Sequence, residues 1–250
     1  VKFGDIHVAF SSKERNFDRV PTQAELDIRP DADYFYICAN NTIYGTEYQY
    51  DPETPAGVPL VADMSSNILS KPVDVSKYGV IYAGAQKNMG PAGVTVVIVR
   101  EDLLGSYPLE KYPVMLDWQT MANKGSMYNT PPTYGIYVLG LVLEWVEQMG
   151  GVKVMQERAE KRSSMLYDYL DSQDFYKTVA AKDSRSRMNV TFRTGNDEHE
   201  LAARRILRII GCRLAQRRAA DLLMELGQLA AEGNLPLRAE GRSQILQRGK

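Results

Sequence analysis

GVIYAGAQKNMGPAGVTVVIVR, residues Gly79 to Arg100, decides how the rest of the chain is read. It holds two short apolar runs, Val80-Ile81-Tyr82-Ala83 and Gly93-Val94-Thr95-Val96-Val97-Ile98-Val99. Both are β-branched or aromatic in character, the composition of buried strands. Between them, Gly84 to Ala92 is a turn of mostly small residues around a single lysine, Lys87. A lysine at the end of a buried strand, ringed by Gly and Ala, leaves room beside its amine for a flat ligand. The same pattern fits a solvated turn lysine, because most loop lysines face water. The choice turns on what else reaches that end of the sheet.

Two more strands are predicted upstream. Tyr34 to Ala39 ends in the polar turn Asn40-Asn41-Thr42, and Val58 to Ala62 ends at Asp63. Three successive strands therefore end in polar residues: Thr42, Asp63 and Gln86-Lys87. Open α/β sheets bind ligands at the ends of their strands, so this coincidence outweighs any one residue. Earlier still, the alternation of Lys2 to Ala9 predicts a strand. Ser11 to Pro30 is loop-like, with a short helix near Thr22 to Leu26. Downstream, Leu103 to Met127 is loop-rich. Pro132 in a first turn and the stop signal Gly150-Gly151 bracket an apolar helix over Tyr134 to Gln148. An amphipathic helix over Val152 to Ser172 comes next, then strands over Phe175 to Val179 and Met188 to Arg193.

Composition narrows the function classes. With 250 residues, 44% hydrophobic and 24% charged, the chain is ordinary globular material for one large domain or a domain and a half. A formal net charge of −1 gives no reason to expect nucleic acid or an acidic membrane as partner. Two cysteines, Cys38 and Cys212, make neither a disulfide framework nor a metal pair, and two histidines are too few for a histidine metal site. No apolar run spans a bilayer, and the first residues lack the apolar core of a signal peptide. A cytoplasmic, metal-free protein is expected. Val1 already falls within a strand-like pattern, which predicts that the chain begins inside a domain. Every aromatic residue lies before Leu201, and residues 201–250 carry nine Arg and one Lys against one Asp and three Glu. That composition predicts an atypical helical, Arg-rich tail, with no aromatics interleaved for binding nucleic acid.

The chemistry that suits these residues is that of pyridoxal phosphate (PLP). Such an enzyme needs a lysine to hold the cofactor as a Schiff base and to move the α-proton, and Lys87 is the candidate. It needs a carboxylate at the pyridine nitrogen. Asp63, ending a buried strand, needs a cationic partner in turn, although a strand-end turn role is open to it. Thr42 can donate to the ring's phenolic oxygen or serve as turn chemistry. Asn129 and Thr130 precede a helix start, where backbone N–H groups and the helix dipole favour phosphate, or where they act simply as caps.

The segments Asp63-Met64-Ser65-Ser66, Ala85-Gln86-Lys87-Asn88, Cys38 to Gly45 and Gly125 to Thr133 match a known pattern in order and spacing. Over about Val1 to Thr194 the chain resembles the phosphoserine aminotransferases, class V members of the fold-type I PLP enzymes. Asn41 stands where many members have Glu. The resemblance implies a fold-type I α/β architecture: a mixed, mostly parallel central sheet with flanking helices and a partial small α+β domain. Residues 1–150 would be part of the large PLP-binding domain, 151–200 the start of the small domain, and 201–250 the atypical tail. It implies Lys87 as the Schiff-base lysine, Asp63 at the pyridine nitrogen, Thr42 at the phenolic oxygen, and Gln86 in contact with the cofactor. Asn129 and Thr130 would reach the PLP phosphate of a neighbouring subunit, as the family builds its sites at a homodimer interface. The family's later Gly-His-Arg-x-Val-Gly-Gly-x-Arg motif is absent; only Gly211-Cys212-Arg213 is similar to its start.

The implied reaction moves the amino group of L-glutamate to 3-phosphohydroxypyruvate, giving O-phospho-L-serine and 2-oxoglutarate in serine biosynthesis. The alternative is a catalytically incomplete member of that family with at most a dimerisation role. A desulfurase is disfavoured, because Cys38 is predicted inside a buried strand and no loop cysteine is placed to carry a persulfide.

Overall fold

The computed structural model describes residues 4–105 and 112–194. The predicted tail over residues 201–250 lies outside them, as do the last residues of the predicted small domain. A four-stranded sheet organises the chain. It is built from β1 (Phe35–Cys38), β4 (Leu60–Asp63), β5 (Val80–Gly84) and β6 (Thr95–Val99), in the order β1-β4-β5-β6. β1, β4 and β5 run parallel, and β6 is antiparallel to β5. Between β1 and β4 the chain forms a small ladder of β2 (Asn40–Asn41) and β3 (Thr46–Glu47).

One face of the sheet is dry. Ile37, Leu60, Ala62 and Ile81 lie in a buried cluster with Ala39, Met64 and Tyr78, and Tyr48, Ile68 and Val73 pack against it. A second cluster continues past the strand ends: Ala83, Ala85, Met89 and Val94 meet Leu139 of α2 (Thr133–Gln148). Alternate residues point to opposite faces of a strand, so the other face carries Tyr36, Val61, Val80 and Tyr82. These line an open cavity of about 700 Å³.

The helices follow the predicted pattern. The short α1 (Trp118–Asn123) interrupts the loop-rich stretch, capped by Asp117, whose carboxylate accepts from the Gln119 and Thr120 N–H groups. α2 starts after Pro132, and α3 (Gly151–Asp171) comes after the left-handed Gly150. Burial of one α3 stripe, Ala159, Ser163, Tyr167 and Leu170, accords with its amphipathic sequence. A two-residue ladder of β7 (Lys177–Thr178) and β8 (Phe192–Arg193) closes the described chain. These elements belong to one compact unit, Val1–Arg193.

Three expectations need correction. Residues 4–9, the described part of the predicted first strand, form no strand. Ile6 and Val8 are exposed, and alternation without a neighbouring ladder does not make a strand. β6 is largely exposed, because it is the sheet's edge and has one neighbour instead of two. Cys38 is exposed too: β1 is the opposite edge, and Cys38 faces the open side with Tyr36.

Candidate active site

Parallel pairing brings the carboxyl ends of β1, β4 and β5 to one edge. Cys38 pairs with Asp63, and Asp63 with Tyr82. The turns that leave these three strands are therefore presented side by side. After β1, the Asn41 side chain accepts from the N–H groups of Ile43 (3.0 Å) and Tyr44 (3.2 Å), and the Gly45 N–H returns to the Asn41 carbonyl. This is an Asx-type turn, the geometry a short polar side chain offers its own backbone. Thr42 sits at its start.

After β5 the chain makes a tight turn. The N–H groups of Met89 and Gly90 both reach the Ala85 carbonyl, and the Ala85 N–H reaches Val94. Ala85 and Met89 are buried and anchor the turn, while Asn88 donates to the Ile68 carbonyl at 2.7 Å. Gln86 and Lys87 are left exposed. Gln86 folds back over Gly84, where an added Cβ would lie 2.6 Å from its side-chain oxygen. Lys87 reaches across the edge, and its Nζ donates to Thr42 Oγ1 at 2.7 Å.

Asp63 ends β4, the strand between these two, and is half-buried. Its Oδ1 accepts from the Ser65 N–H at 2.8 Å, and Ser65 Oγ in turn accepts from the Gly84 N–H at 3.1 Å. Ser65 thereby ties the ends of β4 and β5. Only its place just beyond Asp63 hinted at this in the sequence. On the open face, Tyr36 and Tyr82 share a hydrogen bond of 3.3 Å. Burial pushes the Tyr82 hydroxyl up, and the Asp63 charge adds to this. Desolvation, and then the Asp63 charge, push the Cys38 thiol up as well. Cys38 is thus a poor thiolate, through desolvation first and the neighbouring Asp63 charge second.

Asn129 and Thr130 lie in the exposed loop ahead of α2. No hydrogen bond among the described residues joins them to Lys87, Thr42 or Asp63. Neither caps α2, whose N-terminal flank is Pro132 without a side-chain cap. Among the described residues no group of three His, Cys, Asp or Glu is placed to hold a metal ion, and no helix is long and apolar enough to cross a membrane.

The family model "Aminotransferase class-V" matches residues 2–209. A phosphoserine aminotransferase of Herminiimonas arsenicoxydans is 51% identical over 191 residues, covering 76% of this chain and 52% of the relative. One from Geobacillus kaustophilus is 52% identical over 198 residues, covering 79% and 54%. Among solved structures, phosphoserine aminotransferase from Bacillus circulans subsp. alkalophilus is similar at a TM-score of 0.80 and 44% identity, over 84% of this chain and 58% of that one. PLP-bound phosphoserine aminotransferase from Trichomonas vaginalis is similar at 0.67 and 37%, over 72% and 52%. The chain spans about half the length of the curated relatives it matches.

Proposed function

The chain belongs to the class V aminotransferases, and we propose that it carries the PLP-binding edge of an enzyme that moves the amino group of L-glutamate to 3-phosphohydroxypyruvate. The observation that carries this is the contact between Lys87 Nζ and Thr42 Oγ1 at 2.7 Å, with Asp63 ending the strand between them. PLP bears its aldehyde and its phenolic oxygen on adjacent ring carbons. A protein that engages both brings an amine and a hydroxyl to neighbouring places at one edge of the ring, and Lys87 and Thr42 stand together at this sheet edge. When bound, PLP supplies an electron sink for the carbanion formed at an amino acid's Cα.

The chain's own residues supply the rest. Lys87 would hold the cofactor through its amine and would act as the base that moves the proton at the substrate's Cα. Asp63 keeps a proton on the pyridine nitrogen. Its backbone contact through Ser65 fixes the carboxylate at the end of β4. Thr42, placed by its Asx turn, would orient the phenolic oxygen, and Gln86, exposed beside Lys87, would contact the ring. Asn129 and Thr130 precede α2, and we assign them to the cofactor phosphate of a second subunit, where the helix start favours an anion. In this reading residues 1–150 are part of the large domain and 151–200 begin the small one. The protein acts in the cytoplasm as a homodimer with shared sites, forming O-phospho-L-serine and 2-oxoglutarate for serine biosynthesis.

A second reading is a family member with the fold but without turnover. The purified chain, supplied with PLP, L-glutamate and 3-phosphohydroxypyruvate, separates the two. Formation of O-phospho-L-serine supports the aminotransferase. A visible cofactor band without product supports the second reading, and neither band nor product contradicts both.

A further inference from the structure

The hairpin that carries Thr42 does not stand by itself. A stretch of chain more than 130 residues later, Arg185 to Thr191, grips it from end to end. Thr46 bridges to Arg185, and the Ser186 N–H donates to the Gly45 carbonyl at 2.9 Å. The Arg187 N–H donates to the fully buried Glu47 carboxylate at 3.0 Å. Thr191 Oγ1 donates to the Tyr44 carbonyl at 2.8 Å. At the base of the turn, Asn40 is buried. Its side-chain NH₂ donates to Asn189 Oδ1 (2.7 Å) and to Ser66 Oγ (2.8 Å), while Ser66 Oγ donates to the Asn40 carbonyl (2.7 Å).

The approach is close enough to demand glycine. Gly45 has φ +71, and a Cβ there would lie 2.5 Å from Thr191 Oγ1 and 2.6 Å from the Asn189 carbonyl oxygen. Two residues of ladder and one Asx turn fix little backbone by themselves, because short isolated hairpins are marginal. The rigidity of Thr42 must then come from what holds the hairpin.

We propose that Asn189 is a positioning residue: through Asn40, and with Thr191 holding Tyr44, it fixes the Asn41–Gly45 turn so that Thr42 Oγ1 meets Lys87 Nζ. The segment after α3 thereby sets the ring-binding geometry at the sheet edge. This role in cofactor binding rests on the PLP reading above; the clamp itself does not.

Two measurements on the full chain separate them. The first needs no cofactor. In Asn189→Ala, amide hydrogen exchange over residues 40–48 should quicken about tenfold, because a buried donor on Asn40 loses its partner, while β4 and β5 stay unchanged. Asn189→Asp keeps the acceptor and should return exchange to near the native rate. Thr191→Val, which removes one hydroxyl without changing shape, should give a smaller increase in the same peptides; it serves as the test if Asn189→Ala does not fold. Native exchange over 40–48 in both Asn189→Ala and Thr191→Val, or in Thr191→Val alone where Asn189→Ala does not fold, overturns the clamp.

The second measurement is PLP titration with visible absorbance as the readout. Asn189→Ala should bind about tenfold more weakly, Asn189→Asp within about twofold of native, and the double variant with Thr42→Ala no more weakly than Thr42→Ala alone. Losses that multiply in the double variant overturn the route through Thr42. A native chain that captures no PLP defeats the functional reading and with it the link to the cofactor, and the exchange result then judges the clamp alone.

Discussion

The turn Ala85–Gly90 and the loop Asn129–Thr130 are both proposed to hold PLP, the first this chain's own and the second a partner's, yet the chain treats them differently. The first is anchored at both ends by buried Ala85 and Met89 and by hydrogen bonds to Val94 and Ile68. Its lysine is aimed by Thr42. The second is exposed and flanked by exposed Met127, Tyr128 and Tyr134. The difference teaches that the residues proposed for the amine and ring are held by this chain's own core. Those proposed for the phosphate are exposed, which suits the proposed sharing of the site with a second subunit.

The sharpest way to break that division is Lys87→Ala, which should abolish turnover and covalent capture of PLP together, measured by product assay and visible absorbance. Asp63→Ala should lose about 100-fold or more in turnover, in line with charge placed for the transition state, while Lys87 still captures the cofactor. A matched pair tests the difference in anchoring. Met89 is 2% exposed and Met127 is 65% exposed. Met89→Ala should cost about 2–5 kcal/mol in urea unfolding, the range for truncating a buried methionine, and Met127→Ala within about 0.5 kcal/mol.

Smaller effects sharpen the outward half. Asn129→Ala with Thr130→Ala should weaken PLP retention about tenfold, the loss of one or two charge-assisted hydrogen bonds, without altering unfolding. An unfolding change as large as that of Met89→Ala would mean the loop is structural. The smallest effect is expected at Cys38. Its thiol is held up by desolvation and by Asp63, so removing the charge with Asp63→Asn should lower its pKa. Iodoacetamide should then alkylate Cys38 about two- to fivefold faster at pH 8, read by peptide mass, because the thiolate is the nucleophile.

Much of this site is legible in the sequence, because strand ends are local features. β-branched runs stopped by Asp63 and by Gln86-Lys87 mark two carboxyl ends, and Pro132 with Gly150 brackets α2 to within a residue. What escapes is set by neighbours distant in the chain. The alternation before Phe10 suggests a strand, but among the described residues no ladder meets residues 4–9. Cys38 and β6 carry strand composition but lie at sheet edges, and order within a sheet is not written in a strand's own residues. The grip of Asn189 on Asn40 spans 149 residues, and neither asparagine stands out beside its neighbours. Ser65 is visible only once β4 and β5 are known to be adjacent.

The central claim is that Lys87 is the amine that takes PLP. Borohydride reduction of the chain incubated with PLP, and then peptide mapping, tests it directly. A single pyridoxyl label on Lys87, lost in Lys87→Ala, is the predicted result. Label spread over other lysines with Lys87 unmodified would contradict it.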